Sequence, residues 1–344
     1  MKYIYFLLLL GFLFSCKKEV ENNNTPVPVK DSELVLNATA APFSPIVEGA
    51  KFYQDISYGD QSRNQFDIFL PESGTPTGLA IYIHGGGFTG GDKSIAYSNS
   101  SSQLFINQLL MQNIALATIN YSFLSPEDGE GVLKSLKDSK RALQFIRYHA
   151  ETLNIDKENI VLMGNSAGSG TSLWIALSDD MADASANDKV LRESTRVKGV
   201  VAAETQASYD ILEWHNSVFY EYKLQGFSFE TIKDLASEEV IMLFYGVNSM
   251  DELNSPKVTS DRQKLDFLNF LTADDPEILL DNSLVPYEFP TDNASFLHHP
   301  LHSKVIMDKA TEVNVPTRVY LPTMGINTTL NEGMIDFVVR KLSE

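Results

Sequence analysis

The pentapeptide Gly164-Asn165-Ser166-Ala167-Gly168 constrains this chain more than any other stretch. It follows the short apolar run Ile160 to Met163 and precedes the helix-forming run Thr171 to Leu177. A G-x-S-x-G turn in that setting is a strand-to-helix corner so tight that its central residue takes a strained backbone conformation, and the flanking glycines leave room for it. Ser166 Oγ is thereby raised at the carboxyl edge of a sheet, over a helix amino terminus that favours negative charge.

The rest of the chain supplies the strands and helices such a corner needs. Tyr53 to Tyr58 and Gln65 to Leu70 alternate as half-buried strands do, with Gly59-Asp60 as a turn between them. Leu79 to Ile83, Ile114 to Tyr121, Ile160 to Met163, Val197 to Ala203, Val285 to Phe289 and Thr317 to Leu321 read as short strands. Helical stretches are predicted at Gln103 to Met111, Val132 to Leu153 and Asn331 to Leu342. This alternation predicts an α/β fold with a mostly parallel sheet covered on both faces. Ser208 to Asn282 interrupts the rhythm and reads as a helical, cap-like insertion above the sheet. Its aromatic group, Trp214, Phe219, Tyr220, Tyr222, Phe227 and Phe229, suits a cap core, or a surface for an aryl or sugar moiety where rings are exposed.

A second glycine loop, His84-Gly85-Gly86-Gly87-Phe88, comes directly after the strand ending at Ile83. Without Cβ atoms its backbone N–H groups can approach a carbonyl oxygen and stabilise a developing oxyanion. Gly86 and Gly87 are the expected donors, with the amide of Ala167 as the third, and His84 is expected to brace the loop.

From about Ser57 to Lys341 the chain resembles the esterase/lipase superfamily of α/β-hydrolases, especially its bacterial feruloyl-esterase-like and hormone-sensitive-lipase-like carboxylesterases. The motifs are Asp67-Ile68-Phe69-Leu70-Pro71, His84 to Phe88, Gly91-Asp92-Lys93, Asn120-Tyr121, Asp138 with Ala142, and Gly164 to Gly168. The resemblance implies the α/β-hydrolase fold, a serine nucleophile at Ser166, and an acid after the strand Val285 to Phe289, where Asp292 stands. It also implies a base in the loop after the last strand. There the chain has Pro322-Thr323-Met324-Gly325-Ile326-Asn327, with Ile326 at the expected histidine position. Three histidines, His298, His299 and His302, follow Asp292 closely, and one of them is the expected replacement. No second ligand cluster accompanies them, so no metal is expected. Gly91-Asp92-Lys93 and Asp138 read as structural.

Charge and cysteine content bound the setting. A formal net charge of -18 disfavours a nucleic-acid partner. The single cysteine forbids an intrachain disulfide. Lys2, the apolar stretch Tyr3 to Phe14 and Leu13-Phe14-Ser15-Cys16 together resemble a lipoprotein signal. Residues 1–16 are therefore expected as signal, with Cys16 acylated, 17–42 as a polar tether and 43–344 as the hydrolase domain. Multiple acyl chains anchor stably, which predicts a lipid-tethered protein of the cell envelope, on the periplasmic side or outer surface. The expectation is a carboxylesterase that uses no cofactor and takes a small ester, with aryl and sugar esters as fitting examples. The alternative is a degenerate relative that binds an ester or glycan without efficient turnover.

Overall fold

A computed structural model of the protein describes residues 34–344. The expected signal, Cys16 and most of the expected tether lie outside the described residues. The described residues hold a nine-stranded sheet in the order β1-β2-β4-β3-β5-β6-β7-β8-β9. The strands are β1 Lys51–Ser57, β2 Gln65–Leu70, β3 Thr77–Ile83, β4 Ile114–Ile119, β5 Ile155–Asn165, β6 Gly199–Ala203, β7 Glu277–Asp281, β8 Thr317–Leu321 and β9 Ile326–Asn327. β1, β2 and β9 pair antiparallel, and the pairs from β4 to β8 are parallel. The helices are α1 Ser100–Met111, α2 Val132–Tyr148, α3 Ala150–Leu153, α4 Ala167–Leu177, α5 Phe229–Ala236, α6 Glu238–Tyr245, α7 Pro256–Leu265, α8 Asn293–Leu297, α9 Pro300–Val313 and α10 Met334–Ser343.

Strand alternation divides the core between two faces. Leu79, Ile81, Ile160, Leu162, Val200, Ala202, Ile278 and Leu280 join the layer built with α2, α4, α9 and the insertion. Ala80, Val161, Met163, Val201 and Leu279 join the opposite layer, with Ile106 and Leu109 of α1 and Phe337 and Val338 of α10. Successive residues of a strand point to opposite faces, so short all-apolar strands are what a sheet covered on both sides requires.

Three expectations need correction. Val285 to Phe289 is loop, and the strand is Glu277–Asp281; Pro286 lacks the N–H an interior strand must donate. The acidic start of β7 is tolerated because Arg340 of α10 holds Glu277 at 2.9 and 3.0 Å. The insertion accordingly ends before β7 rather than at Asn282. Residues 34–42, expected in the tether, lie along the domain: Thr39 N donates to Phe52 O at 2.9 Å, and Leu34 and Leu36 pack on the core. An edge strand offers unpaired backbone groups, and this segment uses one of them. Within the insertion, Trp214, Phe219, Tyr222 and Phe227 are buried, whereas Tyr220 is exposed.

Candidate active site

The end of β5 and the start of α4 form the corner expected from Gly164 to Gly168. Ser166 has φ 52 and ψ -123, left-handed backbone that an L-residue adopts only where its surroundings hold it. Two clamps do so. Ser166 N donates to Ala203 O of β6 at 2.9 Å. A Cβ on Gly164 would lie 2.4 Å from the Gly168 carbonyl carbon, and one on Gly168 would lie 1.9 Å from Ile83 O, so both positions must be glycine for the helix to start against β3.

The loop after β3 closes on this corner. A Cβ on Gly85 would meet Ser166 Cβ at 3.2 Å, which places the glycine loop directly beside the elbow. Gly86 (φ 111) and Gly87 (φ 59) occupy left-handed backbone, and a Cβ on Gly86 would lie 2.3 Å from Gly90 O. Among the described residues, the N–H groups of Gly86, Gly87 and Ala167 donate to no protein acceptor, which leaves them free for a ligand oxygen. His84 is fully buried, donates from Nδ1 to Gly85 O at 2.6 Å and stacks on Tyr121 at 4.4 Å. It braces the loop. Asp92 belongs to the same support: it accepts from Asn120 Nδ2 at 2.8 Å and from Ser94 N at 2.9 Å. Lys93 pairs with Asp55 and Asp67, and Asp138 accepts from Ser122 N at 2.9 Å.

Of the three histidines near Asp292, the structure brings one to the serine. Ser166 Oγ lies 2.8 Å from His298 Nε2, so a neutral imidazole protonated on Nδ1 accepts the hydroxyl proton. His298 ends α8, and its segment is stapled down: Asn282 Nδ2 donates to His298 O at 3.2 Å, and Gln206 Nε2 to Leu297 O at 2.9 Å. Burial pushes the His298 imidazole below its ordinary pKa, which keeps it neutral and able to accept. His299 and His302 are buried with both ring nitrogens engaged. His299 Nδ1 accepts from Leu301 N at 3.1 Å and its Nε2 donates to Glu288 O at 2.9 Å. His302 accepts from Ala207 N at 3.2 Å, donates to Phe296 O at 3.1 Å and packs on Trp214. Neither is placed to serve Ser166.

Asp292 is not brought to any histidine. It is the exposed N-cap of α8, accepting from Ser295 N at 2.7 Å and from Ser295 Oγ at 2.7 Å, and the bond from the Ser295 amide leads in holding its carboxyl below the usual range. A short helix beginning at Asn293 needs its first N–H groups satisfied, and Asp292 does that. Among the described residues no carboxylate accepts a hydrogen bond from His298. Ile326 stands half-buried in β9, paired to Leu321 along the sheet edge, because the chain turns back at Gly325 (φ 69).

Two carboxylates at the ends of neighbouring strands escaped the sequence reading. Glu204 follows β6 with φ 51, and its Oε1 accepts from Ser283 N at 2.8 Å and Leu284 N at 3.0 Å. Glu204 Oε2 and Asp281 Oδ1 are buried without partners, and burial pushes both carboxyls up. Neither residue sits in a motif, and only the β6–β7 register, which pairs Ala203 with Asp281, sets them side by side.

Residues 66–280 match the family model described as BD-FAE, a span that includes both glycine motifs and stops before His298. A probable isoprenylcysteine alpha-carbonyl methylesterase of Arabidopsis thaliana is 29% identical over 156 residues, 45% of this chain and 30% of the relative. Esterase B1 of Culex pipiens is 29% identical over 136 residues, 36% of this chain and 24% of the relative. The chain thus spans less than a third of the length of these curated relatives. Among solved structures, a truncated carbohydrate esterase from gut microbiota superposes with a TM-score of 0.58 at 17% identity, covering 85% of this chain and 96% of that one. Esterase B from Lactobacillus rhamnosis superposes with a TM-score of 0.53 at 15% identity, covering 81% and 76%. At such identities the likeness is one of fold.

Proposed function

Since this chain belongs to the BD-FAE family of α/β-hydrolase esterases, we propose that it hydrolyses carboxylic esters through an acyl-Ser166 intermediate. The observation that carries this reading is the 2.8 Å contact between Ser166 Oγ and His298 Nε2 at a strained elbow. His298 takes the hydroxyl proton as Oγ adds to the ester carbonyl, and the resulting oxyanion is met by the N–H groups of Gly86, Gly87 and Ala167. Collapse of that intermediate expels the alkoxide, which receives the proton from His298 and leaves as the alcohol. Water then adds to the acyl carbonyl, its proton going to His298. The second collapse releases the acid, and Ser166 Oγ regains its proton. The role expected of Asp292 falls away, since its carboxylate caps α8. The substrate class is a small ester with an accessible carbonyl, aryl and sugar esters included, and no cofactor takes part.

A short aryl ester such as p-nitrophenyl acetate tests the reading. Hydrolysis by the wild type, with loss of several orders of magnitude in both Ser166→Ala and His298→Ala, is the expected result. Undiminished turnover in Ser166→Ala overturns it. A fluorophosphonate that reacts only with Ser166 but no detectable turnover would instead favour the non-hydrolytic alternative.

The anchor belongs to the same proposal. Acylation of Cys16, the only thiol of the chain, would hold the domain at a membrane surface of the cell envelope. Cys16→Ser is expected to release the protein from the membrane fraction or to block signal removal. Unchanged attachment with normal processing excludes the anchor.

A further inference from the structure

A cavity of about 740 Å³ opens at the carboxyl end of α4, away from Ser166 at its amino end. An 11-residue helix separates the two, about 16 Å at 1.5 Å per residue. Leu133, Lys137 and Lys140 enter the cavity from one face of α2, Trp174 from α4 and Ser178 from its C-cap, and Lys257, Asp261 and Lys264 from one face of α7. Met181 and Phe270 complete its apolar surface. The volume is that of an ordinary small-molecule cleft.

The charges in its wall are unequal in how they are satisfied. Lys137 pairs with Glu130 at 2.6 Å, while Lys257 and Lys264 share Asp261 at 2.9 and 3.0 Å. Asp180 accepts from Thr195 N at 2.8 Å, and Asp179 faces solvent. Lys140 is half-buried and, among the described residues, has no carboxylate within ion-pair distance. An ammonium taken partly out of water without an ion-pair partner is costly; the nearby charge of Lys137 adds to the cost, and the more distant carboxylate of Asp183 offsets only part of it. Burial first, and Lys137 second, push the Lys140 ammonium below its ordinary pKa. An anion bound there would offset both effects. Trp174 Nε1 already donates to Lys264 O at 2.8 Å, so the indole has only apolar surface to offer a ligand.

We propose that this cleft is a second binding site, for an organic monocarboxylate with an apolar body, its carboxylate held by Lys140 and its body against Trp174, Leu133, Met181 and Phe270. Lys140 is the one lysine of the wall without an ion-pair partner among the described residues, which matches a single charge, and a chain of net charge -18 repels polyanions. The site stands independently of the reading given to Ser166.

The chain has two tryptophans, and Trp214 is buried against His302 and Phe296, so Trp174 is the one that senses the cleft. Titrating full-length protein with 3-phenylpropanoate should give a saturable change in tryptophan fluorescence, and 3-phenylpropan-1-ol should not. Lys140→Met should weaken binding by roughly tenfold or more, the loss of a charged hydrogen bond. Lys134→Met, which breaks only the pair with Asp128, should leave it intact. Ser166→Ala should bind as the wild type does. Equal binding of acid and alcohol, unchanged binding in Lys140→Met, loss of binding in Ser166→Ala, or no saturable signal up to about 10 mM in protein shown folded by circular dichroism would each overturn the proposal.

Discussion

His298 can accept the Ser166 proton only while its imidazole is neutral, and burial lowers its pKa from the ordinary value near 6.5. Protonation, and with it loss of activity, is thereby deferred to lower pH. The acid limb of the kcat/KM profile is therefore expected below pH 6.5. His298→Ala should abolish that limb along with roughly 10²- to 10⁴-fold of the rate. A limb centred above 6.5 would assign the titration to another group. Ile326→His should bring no gain, because residue 326 is paired into the sheet edge and the serine already has its imidazole. Esterase assays of the single variant and the wild type compare the two directly.

At the scale of elements, the glycine loop and α8 make opposite predictions. Gly86→Ala introduces a Cβ 2.3 Å from Gly90 O at φ 111, so the loop must move and its N–H groups with it. Loss of one oxyanion donor costs about 10²- to 10³-fold; kcat should fall by at least that much, with His298 and Ser166 untouched. Asp292→Ala removes the cap of α8 and its bond to Ser295 N. The unfolding midpoint should drop slightly and kcat should stay near wild type, since no hydrogen bond joins Asp292 to His298. A collapse of kcat with unchanged stability would restore the acid role to Asp292.

The whole molecule carries several histidines that fold in the neutral form. His302 is the extreme case: burial lowers its pKa to about 3, against 6.5 in the unfolded chain. Between those values the unfolded chain binds a proton that the folded chain refuses. The contribution of His302 to stability is thus full above pH 6.5 and is lost progressively as pH falls toward 3. Burial shifts His84, His298 and His299 in the same direction. Unfolding midpoints measured between pH 7 and 5 should fall with pH, and His302→Gln should flatten that slope even if it lowers the value at pH 7. An unchanged slope in His302→Gln would place the titration elsewhere.

Features set by short stretches of chain were legible before folding was considered. The corner at Ser166 was legible in its glycines, the glycine loop in the absence of three Cβ atoms, and the strand–helix order in apolar runs whose lengths suit a sheet buried on both faces, although the strain at Ser166 is held by Ala203 O and by the approach of Gly168 to Ile83 O. Sequence narrowed the base to three adjacent histidines and went no further, because all three stand next to the same helix start. Packing brings His298, and neither of the other two, to Ser166. The choice depends on how Asn282 and Gln206 staple residues 297 and 298, and on the β5–β6–β7 register that brings residues 166 and 298 within 2.8 Å. The same dependence hid β7, whose acidic start is held by Arg340 with Arg318 and Lys341 beside it, and left Asp292 to be read as a partner of histidine when its nearest donors were the N–H and hydroxyl of Ser295. Steric constraints between neighbours in sequence can be read there. Hydrogen-bond partners are neighbours in space, and the packing of the whole sheet chooses them.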